Sequence, residues 1–298
     1  MDFSLLIDYL NNNSVKYETN IKTSSIVSIQ VGGIAPLIIY PNSIDAFVQL
    51  MTYINRKYKY FILGNGTNSY FQNYYDGVII STKLLNEINV HKSEIIAESG
   101  ALLNNCAEFA SKNSLTGLEF IYGIPGSIGG GLYMNSSAFG SMISYVVSKC
   151  LVYDTKSCYI CELNNNEMDF YEKHSIFMSK RYIVLKAYFN LRPGNHKSIS
   201  DLMDTYIKKR EQSQPLNQPS AGSAFKRPIG NYASKLIDEA GLKGYTIGGA
   251  QISTKHAGFI VNLGNATADD VKSLIDFIQK EIKKRFDVNL EEEIILVE

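Results

Sequence analysis

Apolar residues recur along the first third of the chain at two spacings, each typical of one kind of element. From Phe3 to Leu10 and from Ile44 to Ile54 they repeat about every 3.6 residues, which predicts two amphipathic helices. Residues 24–41 alternate apolar and polar side chains, break at Gly32-Gly33 and resume as a buried run, which predicts strand on both sides of the break. Two further strands are predicted at residues 60–64 and 77–81.

Similar patterns continue through the rest of the chain, where Pro, Gly and Ser cluster after residue 193. The elements predicted there are strands at 93–99, 147–155, 180–193, 257–263 and 293–298, and helices at 104–113 and 233–240. Gly241 stands where a helix end favours glycine, and Thr267 to Asp270 form a capping box that starts another helix. Because few contacts are expected to cross the cluster after residue 193, it marks a domain boundary in an α+β protein.

Composition and charge narrow the class of protein. Of the 298 residues, 45% are hydrophobic and 19% are charged, which is the balance of a globular protein with a packed core. The 29 Lys and Arg residues equal the 29 Asp and Glu residues, so no net charge attracts nucleic acid or an anionic membrane. The sequence contains no run of about 18 apolar residues, the length that would predict a membrane span. The start of the chain lacks the features of a signal peptide, so we expect a cytoplasmic protein.

The cysteines and histidines are too few and too scattered to predict a disulfide framework or a metal site. Cys158 and Cys161 form a CxxC pair, but no second pair follows at the spacing of zinc ligands. We therefore expect free thiols and no bound metal.

The sequence GNGTN at Gly64–Asn68 directly follows a predicted strand. Glycines on either side of one residue let main-chain N–H groups converge on an anion, and Thr67 and Asn68 add side-chain donors. An ordinary tight turn is the alternative. The motif alone is not specific, because Ser69 stands where a dinucleotide-binding fingerprint has its third glycine.

The sequence GIPGSIGGG at Gly123–Gly131 contains five glycines in nine residues. Such a density costs conformational entropy unless the main chain adopts unusual angles or closely approaches another group. A large flat cofactor with a diphosphate would meet that demand, and a glycine-rich hinge is the alternative.

The sequence GSAFKRP places a hydroxyl near two cations. Ser223 follows the flexible Gly222, so it is a candidate proton donor, and Lys226 and Arg227 could hold a phosphate or carboxylate. The alternative is a serine that caps a turn.

The sequence LEEEI at Leu290–Ile294 puts three carboxylates against a terminal strand. Strand alternation would point Glu291 and Glu293 to one side and Glu292 to the other. A solvated strand edge kept soluble by its charge is the alternative.

Six sequences, in this order along the chain, closely resemble the UDP-N-acetylenolpyruvoylglucosamine reductases, the MurB family of flavoenzymes in peptidoglycan precursor synthesis. They are SIQVGGIA, LGNGTNS, GLEFIYGIPGSIGGGLYMN, PSAGSAFKRP, ASKLIDEAGLKGYTIGGAQISTKHAGFIVNLGNATADDV and LEEEI. The long block from Ala233 to Val271 is the most specific. The expected activity comes from this resemblance, and composition and spacing only permit it.

The resemblance implies an FAD-binding domain of the PCMH or vanillyl-alcohol-oxidase type at residues 1–196, in subdomains of about 1–88 and 89–196. A C-terminal α+β substrate-binding domain would follow at residues 197–298. FAD would bind without a covalent link, since the three proposed flavin stretches contain no histidine. The implied cofactor-binding residues are Gly32, Gly33, Gly64, Asn65, Gly66, Thr67, Asn68, Gly123, Ile124, Pro125, Gly126, Ser127, Gly129, Gly130 and Asn135.

The resemblance also implies the reaction. NADPH would reduce the flavin, and a hydride would then pass to C3 of the enolpyruvyl ether of UDP-N-acetylglucosamine enolpyruvate. By match to the family's GS.F and LEPE sequences, Ser223 would donate the proton and Glu293 would be the second catalytic group. Lys226 and Arg227 would bind the substrate. Because these residues and the flavin belong to different predicted domains, we expect a cleft that closes over the substrate in a monomer.

The chain departs from the family at several of these positions. In DFYEKHSIF, Glu172 and Lys173 stand where the family has a Tyr-Arg pair, so Lys173 would hold the substrate carboxylate with a point charge instead of a bidentate fork. Arg227 replaces an asparagine, and Ser137 replaces a glycine. These changes lie near the proposed flavin and substrate positions, so they bear on the choice of substrate more than on the fold.

Two other functions therefore stay open. One is a flavoenzyme of the same superfamily that acts on another sugar nucleotide or small molecule. The other is a non-catalytic nucleotide-binding relative, which would have no need to retain both Ser223 and Glu293.

Overall fold

The computed structural model describes residues 2–298, which form two compact units built from separate stretches of sequence. The first unit contains the N-terminal residues to Thr19, Leu37–Asn65 and Gly77–Lys208. The second unit contains Asn20–Pro36, Gly66–Asp76 and Lys209–Glu298. This division is interleaved, whereas the sequence predicts one boundary between residues 196 and 197; that boundary stays a prediction.

Helices form at the predicted amphipathic segments. The α-helices of the described residues are α1 Ser4–Asn12, α2 Ile44–Ile54, α3 Leu103–Lys112, α4 Ile128–Tyr133, α5 His196–Ser213, α6 Ala233–Glu239 and α7 Ala268–Phe286. The capping box at the start of α7 is confirmed, because the Thr267 hydroxyl accepts the Asp270 N–H and the Asp270 carboxylate accepts the Thr267 N–H. None of these helices is both long and apolar enough to cross a membrane.

Strands form at the predicted apolar runs and at several polar segments. They are β1 Lys16–Lys22, β2 Ile34–Tyr40, β3 Tyr60–Leu63, β4 Ser69–Phe71, β5 Val78–Ser81, β6 Ile88–His91, β7 Glu94–Glu98, β8 Leu115–Thr116, β9 Ser137–Ala138, β10 Ser141–Met142, β11 Val147–Asp154, β12 Tyr159–Asn164, β13 Tyr182–Asn190, β14 Arg192–Pro193, β15 Ser220–Ser223, β16 Thr246–Ile247, β17 Ala250–Ile252, β18 Phe259–Asn262 and β19 Ile295–Val297. The hydrophobic pattern does not predict β1 and β12, because most of their side chains are exposed.

Two sheets give the first unit its frame. One has the strand order β1-β2-β5-β3, with β2 and β3 both parallel to β5. Apolar side chains of β2, β5 and α2 form its core, among them Leu37, Phe47 and Ile80. The other sheet is antiparallel, with the order β12-β11-β13-β7-β6. Gly64 follows the carboxyl end of β3, the sheet edge at which ligands of open parallel sheets usually bind.

The second unit is built around an antiparallel sheet with the order β15-β18-β17-β16. The apolar face of α7 is buried from Ala268 to Ile282 at helical spacing. A separate parallel pair joins β19 to β4, with Ile295 opposite Ser69. β15 of this sheet carries Ser223, and β19 of the pair begins two residues after Glu293. These elements therefore position the two candidate catalytic residues described below.

Residues 24–31 do not form the predicted strand, and this prediction is wrong. The side chains of Val27, Ile29 and Val31 are buried, so the alternating pattern is real. Among the described residues the main chain of this segment forms no strand, however: the Ser28 N–H donates to the Gly66 carbonyl at 2.9 Å, and the Ile29 carbonyl accepts a hydrogen bond from the side chain of Asn262 at 3.0 Å. Isolated bonds to a distant turn and to a side chain thus take the place of a strand ladder, and a hydrophobic pattern does not reveal such bonds.

Asp154, the last residue of β11, is a buried carboxylate bound by Arg181. The carboxylate oxygens lie 2.9 Å from Nη2 and 3.2 Å from Nε, and these bonds lower the pKa of Asp154 to about 2. Because folding lowers this pKa from its ordinary value of 3.8, the pair stabilises the fold above about pH 4, and the effect is lost as the pH falls towards 2.

Asp154→Asn is expected to lower the free energy of unfolding by about 1–2 kcal/mol at neutral pH, since it weakens charge-assisted bonds to a half-exposed arginine. The loss should be smaller at about pH 3, because Asp154 of the unfolded chain is then mostly protonated while the folded carboxylate is still ionised, so the pair contributes less to stability. Denaturant titration of both proteins at the two pH values measures this difference. An equal loss at both would contradict the assignment.

Candidate functional site

In the first unit, two of the stretches predicted to hold the flavin lie against each other. The side-chain amide of Asn65 donates a hydrogen bond to the Pro125 carbonyl. A Cβ atom on Gly64 would come within 2.3 Å of the Ser127 hydroxyl oxygen, so this approach requires glycine. The structure therefore brings the front of GNGTN next to the middle of GIPGSIGGG.

The last glycines of GIPGSIGGG lie in a helix that the sequence does not predict. In α4, Cβ atoms on Gly129 and Gly131 would lie 3.1 Å from atoms of Ser99 and Leu103, respectively. Close packing of this helix therefore explains part of the glycine density that the sequence attributes to a cofactor. Helix was not expected because glycine disfavours helix interiors by about 1 kcal/mol relative to alanine.

Main-chain donors in this part of the first unit fit an anionic group. The N–H groups of Gly64, Asn65, Gly126 and Ser127 donate to no acceptor among residues 2–298. The Ser127 hydroxyl is occupied, because it accepts the Gly130 N–H at 3.3 Å. Converging N–H groups at glycine turns bind anions. These free N–H groups therefore fit the diphosphate of FAD by the chemistry of their donors.

In the second unit, the rest of GNGTN contacts the segment that carries Glu293. The side-chain amide of Asn68 donates to the Glu293 carbonyl at 3.0 Å, and the Asn68 carbonyl accepts the Ile295 N–H at 2.9 Å. Gly66 has a φ of +66°, and a Cβ there would lie 2.2 Å from the Ile26 carbonyl oxygen. One of the side-chain donors assigned to a cofactor is thus used by the protein itself. Thr67, the other side-chain donor of this motif, is half-buried.

Gly32 and Gly33 are required by packing within the second unit. Gly32 has a φ of +148°, and a Cβ atom there would lie 2.2 Å from Oγ1 of Thr23. A Cβ on Gly33 would lie 1.8 Å from the Asn73 carbonyl oxygen. These contacts are sufficient reason for both glycines, so their contact with a cofactor stays a prediction.

Ser223 and Glu293 lie on neighbouring segments of the second unit. Ser223 ends β15 opposite Phe259, and the carbonyl of the next residue, Ala224, accepts the Glu293 N–H at 2.9 Å. Within the described chain, no hydrogen-bond partner is found for the Ser223 hydroxyl. Two residues that are far apart in the sequence are therefore brought together, and one of them keeps a hydroxyl that is available to a ligand.

The carboxylates of LEEEI have different surroundings. Glu291 is exposed and forms an ion pair with Lys226. Glu292 lies near Lys272 and Asp276 of α7, and burial raises its pKa. Glu291 and Glu292 therefore have different neighbours, but residues 290–294 lie outside β19, so the alternation of the three carboxylates stays a prediction.

Lys226 and Arg227 both already have partners. Lys226 is held by Glu291, and the guanidinium carbon of Arg227 lies 4.0 Å from the ring centroid of Tyr232. This cation–π contact holds Arg227 against an exposed aromatic ring. It lies beside the pocket described next.

A pocket of about 600 Å³ lies in the second unit beside α6. Its lining includes Tyr232, Lys235, Asp238, Lys243, Lys255 and His256. Lys243 pairs with Asp238 at 2.7 Å, and Lys255 donates to a main-chain carbonyl, so the cations are fixed by their neighbours. The sequence prediction omits this pocket, because each lysine taken alone is an ordinary solvated charge and only the fold gathers them.

His256 presents a neutral ring to this pocket. Burial lowers its pKa, and Nδ1 accepts the Gly258 N–H at 3.1 Å. With Nδ1 used as an acceptor, the neutral ring carries its proton on Nε2. The pocket thus offers a neutral donor next to its lysines.

Asn135 and Lys173 lie in one region of the first unit. Asn135 is 1% exposed, and its side-chain amide donates to the Tyr171 carbonyl at 2.9 Å. Lys173 lies two residues after Tyr171, in the same turn, and has a φ of +55°. The sequence prediction places Asn135 at the cofactor, but the structure shows its side chain bound to the turn that carries Lys173.

Comparison with known protein families matches both halves of the chain. Residues 35–154 match the model of an FAD-binding domain. Residues 214–297 match the model of the C-terminal domain of UDP-N-acetylenolpyruvoylglucosamine reductase.

Comparison with individual proteins extends the match to nearly the full length. The chain is 46% identical over 272 residues to the UDP-N-acetylenolpyruvoylglucosamine reductase of Caldanaerobacter subterraneus, covering 91% of this chain and 90% of that protein. It is 40% identical over 282 residues to the reductase of Clostridium novyi, covering 94% and 92%. The crystal structure of the Thermus caldophilus reductase, MurB, superposes with a TM-score of 0.80 at 26% identity, covering 95% of this chain and 99% of that one.

Proposed function

The chain belongs to the family of UDP-N-acetylenolpyruvoylglucosamine reductases, and we propose that it reduces UDP-N-acetylglucosamine enolpyruvate to UDP-N-acetylmuramate with NADPH as reductant. The observation that carries this function is the 46% identity to a reductase of that name over 91% of the chain. The protein is an FAD-containing oxidoreductase of peptidoglycan precursor synthesis. A flavoenzyme acting on another sugar nucleotide is not favoured, because the match includes the C-terminal domain of the reductases.

FAD supplies hydride transfer when bound, from NADPH to C3 of the enolpyruvyl ether. In the first unit, the unpaired N–H groups of Gly64, Asn65, Gly126 and Ser127 would hold its diphosphate. The remaining residues of the two glycine-rich stretches would contact FAD through their main-chain atoms. Main chain rather than charged side chains suits this role, since it binds the anion without a flexible group to order.

Ser223 would donate the proton that C2 of the substrate needs. A serine hydroxyl is a poor acid, so it serves only where the carbon it protonates is strongly basic and neighbouring groups stabilise the alkoxide. The hydroxyl of Ser223 has no protein hydrogen-bond partner among the described residues, which leaves it available for this transfer. The main-chain bond between Ala224 and Glu293 keeps a carboxylate-bearing segment beside it.

Glu293 and Lys173 would act on the charge of the enolpyruvyl group. Glu293 would orient the substrate and the proton donor, and Lys173 would attract the substrate carboxylate. Lysine offers a compact point charge, so it can neutralise the carboxylate without fixing its plane as an arginine would. Lys226 and Arg227 would bind the nucleotide part of the substrate.

The pocket beside α6 would take the nucleotide end of the substrate. Its lysines suit a diphosphate, and the Nε2–H of His256 suits a neutral carbonyl acceptor. Two carboxylates among its lining residues, Asp238 and Glu239, reduce its net charge. Binding would therefore require Lys243 to exchange Asp238 for the ligand.

Lys243→Gln is expected to raise the KM for the sugar nucleotide about tenfold and to leave kcat within about twofold, because it removes binding common to ground and transition states. The KM for NADPH should not change. Lys280→Gln, which alters an exposed lysine of α7, is the matched control. A fall in kcat with unchanged KM would reject this use of the pocket.

An anaerobic half-reaction assay tests the proposed function directly. The purified protein should be yellow with bound FAD, NADPH should bleach the flavin, and UDP-N-acetylglucosamine enolpyruvate should restore its absorbance. The product should be UDP-N-acetylmuramate. Restoration by other acceptors but not by this substrate would favour a different flavoenzyme. A colourless protein that takes up no FAD would overturn the proposal.

We also propose a cytoplasmic, monomeric enzyme, with residues 1–196 and 197–298 as its functional domains. The substrate and NADPH are both cytoplasmic metabolites in a cell that builds peptidoglycan, so the activity belongs there. Its product would support cell-wall synthesis, and through it cell shape and division. Fractionation of cells and light scattering of the purified protein test location and oligomeric state.

A further inference from the structure

The turn that carries Lys173 has an unusual main-chain conformation. Tyr171 and His174 exchange main-chain hydrogen bonds of 3.4 and 3.1 Å, which places Glu172 and Lys173 at its tip. Lys173 has a φ of +55°, a region that residues other than Gly, Asn and Asp seldom occupy. Such a conformation persists where surrounding contacts determine it. The contacts that hold this turn are therefore of functional interest.

The contacts within the turn include a ring stack and an ion pair that lie at the surface. The rings of Tyr171 and His174 stack with centroids 3.9 Å apart. His174 lies 3.2 Å from the exposed carboxylate of Asp169. Contacts of this kind at the surface stabilise a conformation only weakly. A buried anchor would hold the turn more firmly.

Asn135 is the buried anchor. Its Nδ2 donates to the Tyr171 carbonyl at 2.9 Å and its Oδ1 accepts the Ser144 N–H at 3.2 Å, while the side chain is 1% exposed. The amide nitrogen also lies 3.8 Å from the sulfur of Met142. Both ends of the amide are thus satisfied by the protein. Asn135 itself has a φ of +44°, which asparagine tolerates.

We propose that Asn135 is a positioning residue that fixes the turn Tyr171–His174 and thereby presents Lys173 to the substrate. This inference rests on the proposed function, in which Lys173 attracts the substrate carboxylate. Asparagine fits the position because it has a donor and an acceptor at this reach and tolerates the left-handed region. Aspartate keeps the acceptor for Ser144 and loses the donor for Tyr171.

Asn135→Asp tests the inference, with Asn165→Asp as its matched control. Asn165 donates from the same kind of amide to two main-chain carbonyls of the first unit, those of Ser144 and Val147, both at 2.8 Å. We expect Asn135→Asp to slow flavin reoxidation by the enolpyruvyl substrate about 10- to 100-fold, because misplacement of a binding group by about 1 Å has effects of this size. Reduction by NADPH should be unchanged. Asn165→Asp should alter neither half-reaction.

The readout that separates positioning from general support is a double-mutant cycle with Lys173→Ala. If Asn135 acts through Lys173, then Asn135→Asp should cause no further slowing once Lys173 is absent. Multiplied effects, or an equal loss in Asn165→Asp, would overturn the inference. If Asn135→Asp does not fold, Asn135→Gly, which accepts positive φ and removes both bonds, takes its place. A wild-type protein whose flavin is not reoxidised by the substrate would overturn the proposed function as well; a reactive wild type with an unaffected Asn135→Asp would overturn this inference alone.

Discussion

Ser223→Ala is expected to slow flavin reoxidation by the enolpyruvyl substrate by about 10²- to 10⁴-fold, the range that general acid catalysis supplies. Reduction of the flavin by NADPH should proceed at the wild-type rate, since no proton is needed at C2 in that half-reaction. The fold should be unaffected, because no protein hydrogen bond to the Ser223 hydroxyl is found in the described chain. Stopped-flow absorbance of the flavin measures both half-reactions separately.

Ser220→Ala is the matched control for this variant. Ser220 lies on the same strand, and its hydroxyl accepts the Gly222 N–H at 3.0 Å, so its loss perturbs β15 without removing the proposed proton donor. We expect a small decrease in stability and little change in either half-reaction. Equal slowing of both half-reactions in Ser223→Ala would reject its role as proton donor.

Glu293→Gln is expected to have the second-largest effect, a loss of about 10²-fold or more in the same half-reaction, because it removes the charge proposed to orient the substrate and the proton donor. Its two neighbours provide controls of the same residue type. Glu291→Gln should act mainly through its ion pair with Lys226. Glu292→Gln removes a carboxylate whose pKa burial raises, so the fold should tolerate it well.

The three glutamate variants together distinguish a role of Glu293 alone from an effect of the charge of the whole segment. If Glu293 has the proposed role, only its substitution slows reoxidation by orders of magnitude at saturating substrate. If all three variants lose activity to the same extent, the general charge of the segment matters and no single carboxylate is catalytic. Thermal unfolding and FAD content of each variant show whether a loss reflects damage to the fold.

Much of the architecture follows from local pattern. The face of α7 and its capping box are fully readable, because helix spacing and capping depend on residues within a few positions of each other. The catalytic candidates Ser223 and Glu293 could be named from family resemblance. Their proximity could not be predicted from pattern, since the main-chain bond between Ala224 and Glu293 joins segments far apart in the sequence.

The two places where the structure differs from the prediction have the same origin, namely contacts between residues that are distant in the sequence. Residues 24–31 alternate like a strand, but their main chain bonds to the Gly66 carbonyl and to the Asn262 side chain and forms no strand. The glycines of α4 indicate unusual angles, whereas Gly129 and Gly131 permit close packing of a helix. In each case a contact between distant residues decides the local structure, and such contacts leave no periodic trace.

The pairing of β19 with β4 has a consequence for how the protein is made. Ile295–Val297 completes a pair whose other strand, Ser69–Phe71, leaves the ribosome long before it. Proteins generally fold from the N-terminus during synthesis, but this pair can close only once residues 295–297 have been translated. Nascent chains should therefore expose the hydrogen-bonding edge of β4 until residues 295–297 have been made. A frameshift that removes β19 would leave that edge of β4 without its partner strand, open to pairing with another chain.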